Sequence, residues 1–329
     1  MGSSTKKKKE KAKDFQKPKF KVGKAKPKAS NFTDTSFKSK DVIQQFKHNL
    51  SLASSSKSDK QRRDALAYLT GQLSSTPPVN PVGTSALLLR LLPLISDSST
   101  PVRSQLLKLL RALPADEATP SVERAAMYIR AGMTHLSSDI SSDALGVMEW
   151  LLDVAGDELV ACPGGWVKTL STFCVAMGWA ASSSAAGWTS VGRTGGIKAK
   201  DAQTLSRQIS VLSRFLQTGF RPETAAAPNH TQYWDNLYRA PRSASAFEYL
   251  NLFSVRRDEE GQMYPDREAR QQIFHRRFLE PISKGVDKAK KEGGPTGRAA
   301  VALDQVLKKG MNDYQASTAL DAQDLLDLW

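Results

Sequence analysis

Residues 97–103 read Asp97-Ser98-Ser99-Thr100-Pro101-Val102-Arg103 and separate two segments in which apolar residues recur at helical spacing. The first segment ends at Ile95, and the second runs from Leu106 to Leu113. Spacings of three and four residues place such side chains on one face of an α-helix. Thr100 is suited to cap the second helix, with Pro101 at its first position, where no backbone N–H is needed. The sequence therefore predicts a helix, a short turn and a second helix.

The same pattern continues on both sides of this turn. Apolar stripes at helical spacing occupy residues 66–73, 87–95, 106–113, 122–136, 144–155, 166–177 and 202–216. The helices form pairs that begin near residues 41, 85, 121 and 160, a spacing that overlaps the ~40–47-residue period of HEAT and armadillo units. We therefore predict an all-α, HEAT/armadillo-like helical repeat, or α-solenoid, in which neighbouring pairs bury each other's apolar faces.

Five turn residues are predicted to have structural roles in the repeats. Asp97, Pro101, Val102 and Arg103 match a HEAT unit, in which the aspartate bonds neighbouring backbone or the arginine of an adjacent repeat. The next pair offers Asp139, but Ser141 stands where the HEAT pattern favours arginine. The repeats are therefore degenerate.

Composition divides the chain into three predicted domains. These are a disordered, Lys-rich tail over 1–40, a helical repeat domain over 41–220 and a C-terminal helical extension with loops over 221–329. The tail holds 14 lysines against three acidic residues, while the whole chain has a formal charge of +14. The tail has so few aliphatic residues that their burial cannot offset an ordering cost of roughly 1–2 kcal/mol per residue. In the extension we predict a helix from Asp266 to Leu279 and a charged linker from Lys284 to Gly297.

Several classes of protein are disfavoured by what the sequence contains. No segment approaches the ~18 apolar residues of a membrane span, and no apolar region of a secretory signal follows the first lysines. Cys162 and Cys174 form no CxxC motif, which favours a reducing compartment and two packed thiols. The four histidines are scattered, and no phosphate-binding loop, nucleophile elbow or zinc-protease motif is present. We expect no catalytic residue, metal site or cofactor.

The lysine cluster of the tail has three possible roles. It consists of Lys6, Lys7, Lys8, Lys9, Lys11 and Lys13. A flexible group of positive charges suits the acidic groove of a nuclear import receptor. The same charges would bind nucleic acid without sequence preference and release counterions from phosphate. The third interpretation is a solvated, solubilising tail, and the first two are compatible with each other.

The last residues of the sequence combine apolar and acidic side chains. Leu325, Leu328 and Trp329 follow or flank Asp324 and Asp327. Such residues can anchor a segment in a partner's groove. They can equally pack back on the repeat body, and the sequence favours neither alternative.

A family resemblance extends from about residue 1 to residue 220. It is carried by residues 31–40, by Arg62-Arg63-Asp64-Ala65-Leu66, by residues 97–110, by residues 133–140 and by residues 165–170. The order of these strings resembles fungal pre-rRNA-processing proteins of the Ipi type, whose animal relatives are the testis-expressed-ten proteins.

The resemblance implies a scaffold subunit of the Rix-type complex, located in the nucleolus and nucleoplasm. Its implied partners are a β-propeller subunit, a second helical scaffold, the large-subunit ribosomal precursor and a giant ring ATPase. Its implied role is to support ribosome biogenesis, including removal of the second internal transcribed spacer. The family has no catalytic residues to transfer to this chain.

Two other functions remain open from the sequence. A helical repeat with a basic tail could be a nuclear transport or adaptor protein, which would bind import or export factors in place of ribosomal precursors. It could also bind pre-rRNA directly through the tail, with an affinity that falls steeply with salt.

Overall fold

The computed structural model describes residues 35–179, 199–222 and 259–314, and every regular element within these ranges is helical. The chain divides into a first unit, Met1–Gln44, and a second, compact unit that begins at Gln45. Of the first unit, the structure describes only the beginning of helix α1. The predicted all-α class is confirmed for the described residues.

The helices follow one another in the order α1 (Thr35–Ser55), α2 (Asp59–Leu73), α3 (Thr84–Leu91), α4 (Thr100–Arg111), α5 (Ala115–Ala118), α6 (Val122–Met133), α7 (Ser138–Ala161), α8 (Val167–Met177), α9 (Ala199–Gly219), α10 (Arg267–Arg277), α11 (Leu279–Glu292) and α12 (Gly294–Met311). Two 3-10 segments, Leu92–Ser96 and Thr119–Ser121, extend α3 and precede α6. Helix α7 is the longest of the described helices and is kinked at Ala155, beside the weak helix former Gly156.

The second helices of successive pairs pack side by side in the second unit. Helix α2 contacts α4, α4 contacts α7, α7 contacts α9, and α9 contacts α12. Neighbouring helices in this layer run parallel, because residues near the start of one helix contact residues near the start of the next. For example, the Thr296 hydroxyl donates to the Ala202 carbonyl at 3.2 Å, while Gly310 lies against Phe220 further along both helices. Parallel stacking of equivalent helices is the arrangement expected of a helical repeat.

The core is a continuous row of aliphatic side chains that ends in an aromatic cluster. Leu66, Leu88, Leu109 and Leu145 are fully buried in successive parts of the row. Near its far end, the fully buried Trp166 ring stacks on Phe215 with 5.1 Å between ring centroids. Burial of this kind stabilises by roughly 1.5–3 kcal/mol per large side chain.

Three details of the sequence prediction are corrected around the turns. The N-cap of α4 is Ser99, so Thr100 is the first helical residue and Pro101 the second. Pro101 is tolerated there because first-turn N–H groups have no intrahelical partner. Leu136 was included in the stripe of α6, but it follows the helix end and is 99% exposed.

The predicted charged linker from Lys284 to Gly297 is wrong. Helix α11 covers Leu279–Glu292 and buries Ile282, Val286 and Ala289 at helical spacing. Lys284, Lys288 and Lys291 are exposed, whereas Lys290 is half-buried and pairs with Asp304 on α12 at 3.1 Å. The chain instead turns at Gly293 and Gly294, which both have positive φ.

The predicted domain boundary at 40/41 falls inside helix α1, and the predicted boundary at 220/221 falls just after helix α9 ends at Gly219. Helix α1 already begins at Thr35, since extending a formed helix by one turn costs little compared with nucleation. Helix α12, from the predicted extension, packs along α9, from the predicted repeat domain.

Candidate interaction surfaces

Arg103 joins the second helix pair to the third. Its buried guanidinium donates to the Asp143 carboxylate on α7 at 2.8 Å, and to the Asp97 and Ser98 carbonyls at 2.6 and 3.1 Å. It also donates to the Thr100 hydroxyl at 3.0 Å. A buried guanidinium is tolerated only when its donors are satisfied in this way. Arg103 therefore holds the turn closed and fixes α4 against α7.

Asp97 joins the first helix pair to the second. Its carboxylate accepts from the backbone N–H of Ser99 at 2.8 Å and from the Arg62 guanidinium on α2 at 3.0 Å. Arg62 also donates to the Ser56 carbonyl and to Asp59. Asp97 thus bonds one backbone N–H of its own turn and one arginine of the preceding helix pair.

Of the other predicted turn residues, Val102 lies on α4 and Asp139 on α7. Val102 is fully buried in the core. Asp139 is exposed in the first turn of α7, where negative charge is favoured by the helix dipole. Ser141 donates its hydroxyl to the Met133 carbonyl at 2.8 Å. The carboxylate that meets Arg103 is Asp143, which the sequence prediction missed although it follows Arg103 by one repeat length.

A row of three ion pairs joins α7 to the neighbouring α9. The pairs are Glu149–Arg207, Asp153–Arg214 and Asp157–Arg221. The first is bidentate, with N–O distances of 3.1 and 3.0 Å, and the last pair is well exposed. Exposed pairs contribute only about 0–1 kcal/mol each. The row therefore sets the register of the two helices more than it stabilises them.

Two arginines of α10 cap the C-terminal end of α9. Arg270 is buried and donates to the Gly219 carbonyl at 2.8 Å, and Arg267 donates to the Phe220 carbonyl at 2.8 Å. The last carbonyls of a helix lack intrahelical donors, so these bonds satisfy groups that would otherwise be unpaired. The Trp166 indole N–H donates to the Arg270 carbonyl at 3.1 Å and links this cap to the aromatic cluster.

An open cleft of about 220 Å³ lies between α4 and α7. Its apolar walls include Ile95, Leu106, Leu107 and Val147, and its polar lining comprises Arg103, Ser104, Lys108, Arg111 and Asp143. Asp143 is paired with Arg103, whereas Lys108 and Arg111 are exposed on α4 and make no ion pair with the residues that the structure describes. The cleft therefore combines an apolar floor with a net positive rim.

The two thiols are not activated. Burial raises the pKa of Cys174 to about 12 and that of Cys162 to about 11, although the Arg130 charge partly opposes the shift at Cys162. Both cysteines are unpaired.

Over residues 35–179, 199–222 and 259–314, no group of three or more metal-ligating side chains occurs. Among the described helices, none has a segment long and apolar enough to span a bilayer.

Two sets of predicted site residues lie outside the described ranges. They are the tail lysines Lys6, Lys7, Lys8, Lys9, Lys11 and Lys13, and the docking residues Leu325, Leu328 and Trp329. Their roles stay predictions.

Comparison with known proteins identifies the family. Residues 116–216 match a family model described as a Rix1 complex component involved in 60S ribosome maturation. A pre-rRNA-processing protein IPI1 of Pyricularia oryzae is 53% identical, with 95% of this chain and 99% of that protein covered. The IPI1 protein of Chaetomium thermophilum is also 53% identical, with 94% and 97% covered.

A solved chain of a Rix1-Rea1 pre-60S particle is 21% identical, covers 89% of this chain and 99% of that chain, and has a TM-score of 0.48. The two IPI1 relatives match this chain over nearly its whole length at about half identity. The chain therefore belongs to the IPI1 family of pre-rRNA-processing proteins.

Proposed function

We propose that this chain is a non-catalytic scaffold subunit of the Rix-type complex, which supports pre-rRNA processing and maturation of the 60S ribosomal subunit. Family membership over nearly the whole chain is the observation that carries the proposal. The stacked helix pairs support it, because such a layer offers long edges and faces for protein partners. The proposed partners are a β-propeller subunit, a second helical scaffold and the large-subunit precursor, with the giant ring ATPase recruited to the same particle.

The finer role that we propose is support for removal of the second internal transcribed spacer. The helical unit from Gln45 onward would bind the protein partners. The lysine tail would direct nuclear entry and contact pre-rRNA through its charge. The clustering of positive charge before α1 supports this division of labour.

Removal of residues 1–34 tests the division of labour. We choose this limit because α1 begins at Thr35, so the helix remains whole. The expected result is loss of nuclear enrichment while the partners still co-purify. Fusion of an unrelated nuclear import signal should restore location and large-subunit precursor maturation. Failure of partners to co-purify, with nuclear location retained, would contradict the assignment.

RNA contact by the tail is tested with the full chain and a labelled pre-rRNA fragment. Replacing Lys6–Lys9, Lys11 and Lys13 by glutamine should weaken binding and flatten its dependence on salt, since fewer counterions are released. The matched control replaces the same six lysines by arginine, which retains the charge. An unchanged salt slope in the glutamine variant would exclude the tail as the RNA contact.

Sedimentation separates this function from that of a transport adaptor. Affinity purification at moderate salt, followed by a sucrose gradient, should recover the chain with large-subunit precursors and precursor RNA. Recovery of import or export factors without ribosomal precursors would refute the scaffold proposal.

A further inference from the structure

The α4–α7 cleft has the size and polarity of a docking site for one large apolar side chain beside acidic neighbours. Its volume is about 220 Å³. An apolar cavity of about 150 Å³ is enough to hold benzene, so this cleft accommodates an indole ring or a leucine side chain. Lys108 and Arg111 on its rim would pair with carboxylates that flank the anchor.

The cleft is open for a physical reason. Arg103 and Asp143 close the gap between α4 and α7 at the start of the two helices. One to two turns further on, α4 presents Lys108 and Arg111, while α7 presents Val147, and no acidic residue of the described ranges other than Asp143 lines the cleft. The interface between α4 and α7 is accordingly less extensive than those on either side of it.

One segment of this chain matches the cleft in chemistry. Residues 320–329 read Leu-Asp-Ala-Gln-Asp-Leu-Leu-Asp-Leu-Trp, in which three aspartates alternate with bulky apolar residues and no basic residue occurs. The apolar floor suits Trp329 or Leu328, and the basic rim suits Asp324 and Asp327. Across a partly desolvated cleft, such charge pairs add specificity to the apolar contact.

The segment is also long enough to reach the cleft. The described chain ends at Tyr314, after α12, and α12, α9 and α7 lie side by side. Helix axes in contact are about 8–10 Å apart, and ten helical residues span about 15 Å. Arg221, two residues after the end of α9, pairs with Asp157, so Val147 lies about ten residues back along α7. The path is therefore on the order of 30 Å, and fifteen extended residues span about 50 Å.

We propose that residues 320–329 of this chain dock in the α4–α7 cleft, with Trp329 or Leu328 inserted between Leu107 and Val147 and with Asp324 and Asp327 facing Lys108 and Arg111. This inference is independent of the proposed function. It commits to an intramolecular contact, so the same segment is not free to bind a partner while it is docked.

Cysteine cross-linking in the full chain tests the contact. Ser104→Cys places a thiol on the cleft, and Leu326→Cys places one on the segment beside its anchors. The matched control combines Leu326→Cys with Gln305→Cys, which is exposed on α12 and much nearer to the segment along the chain. Under mild oxidation the cleft pair should form an intramolecular disulfide at least about ten times faster than the control pair. Equal rates, or a faster control, would overturn the proposal.

Charge reversal provides the second arm of the test. Lys108→Glu with Arg111→Glu should abolish the advantage of the cleft pair, and Asp324→Lys with Asp327→Lys should restore it in the combined variant. Both rim residues are exposed, so we expect the circular dichroism spectrum and thermal midpoint to be unchanged. Cross-linked dimers in place of an intramolecular loop would assign the segment to a second copy and refute the intramolecular contact. An advantage that survives charge reversal would also refute it.

Discussion

At the scale of single residues, we expect Arg103 to contribute more to the free energy of unfolding than the exposed charged side chains do. Removing its side chain in Arg103→Ala leaves the Asp97 and Ser98 carbonyls and the Asp143 carboxylate without their donor. We expect the free energy of unfolding to fall by about 2–4 kcal/mol, because a buried side chain is removed together with its hydrogen bonds to the turn and to Asp143. Urea denaturation followed by circular dichroism measures this change.

The matched control for Arg103 is Arg111→Ala on the same helix, where the side chain is exposed and lines only the cleft. Its loss should change the free energy of unfolding by no more than about 0.5 kcal/mol. Comparable losses in the two variants would show that the Arg103 contacts are not what holds the turn.

Because the pKa values of both buried thiols are raised, we expect the free energy of unfolding to depend on pH under alkaline conditions. The ordinary cysteine pKa is 9.0, and folding raises it to about 11 for Cys162 and about 12 for Cys174. Between pH 9 and these values the unfolded state loses a proton that the folded state keeps, so the free energy of unfolding should fall as pH rises. Below pH 9 this contribution should be constant.

Stability curves of Cys174→Ala and of the unaltered chain, measured from pH 8 to pH 10.5, check this dependence. The variant should lose part of the alkaline slope. In the folded unaltered chain, iodoacetamide should modify both thiols slowly at pH 8 and much faster in urea. Rapid modification of the folded protein would contradict the assigned pKa values.

The turn residues show how far the sequence could predict individual contacts. Asp97 and Arg103 stand out because their residue types and spacing match a HEAT turn. Asp143 could not be chosen over Asp139 by pattern alone, because both follow Arg103 by about one repeat. The choice depends on where α7 begins, and helix starts are poorly determined by propensity.

At the scale of helices, hydrogen bonds from α10 to Asp313 hold the residues that follow α12 against α10. The Asp313 carboxylate accepts from Arg267 and, at 3.1 Å, from Gln271. The hydrogen bond from Arg267 is the main reason that the pKa of Asp313 falls from 3.8 to about 2. This contact is thus an acid-sensitive attachment of α12 to α10.

A depressed pKa stabilises the folded state above the unfolded value of 3.8, and the stabilisation is lost as pH falls from about 4 to about 2. Asp313→Asn should therefore flatten the fall of the free energy of unfolding across this range. Chemical denaturation at intervals of half a pH unit measures the slope. An identical slope in both proteins would exclude Asp313 as a contributor.

Helix α11 is a segment for which amino-acid composition alone predicts the wrong secondary structure. Lysines and glycines over residues 284–297 are typical of a linker, yet Ile282, Val286 and Ala289 give the segment a narrow apolar stripe. That stripe is sufficient because α12 packs against α11, and Lys290 adds an ion pair to Asp304 on α12. Tertiary packing here overrides a composition that looks like a loop.

At the scale of the molecule, the helices of the side-by-side row (α2, α4, α7, α9 and α12) contact mainly the helices next to them. Damage should therefore stay local. Trp166→Ala removes a fully buried ring from the aromatic cluster, and we expect a loss of about 3–5 kcal/mol. Amide hydrogen exchange should lose protection in α9–α12 while α2–α4 remain protected.

The reciprocal variant is Leu69→Ala, a fully buried residue of α2. It should reduce protection in α2–α4 and leave α9–α12 largely unchanged. Uniform loss of protection in either variant would show that the unit unfolds as one cooperative body.

The repeat architecture was predictable because it rests on local periodicity. The helix stripes from Leu66 to Leu216 and the pair spacing are visible without any long-range information. The packing of α10 against the end of α9 was not predictable, since it depends on Arg267 and Arg270 meeting carbonyls that are about 50 residues away. Long-range hydrogen bonds to backbone leave no periodic pattern in a sequence.

The limited interface between α4 and α7 also has a mechanical consequence. When a row of packed helices is bent, most of the deformation occurs at the least stiff interface between neighbouring helices. Bending of the row formed by α2, α4, α7, α9 and α12 should therefore concentrate at the α4–α7 interface, with the Arg103–Asp143 pair as its pivot. A side chain wedged in the cleft would stiffen this joint, and an empty cleft would leave it compliant.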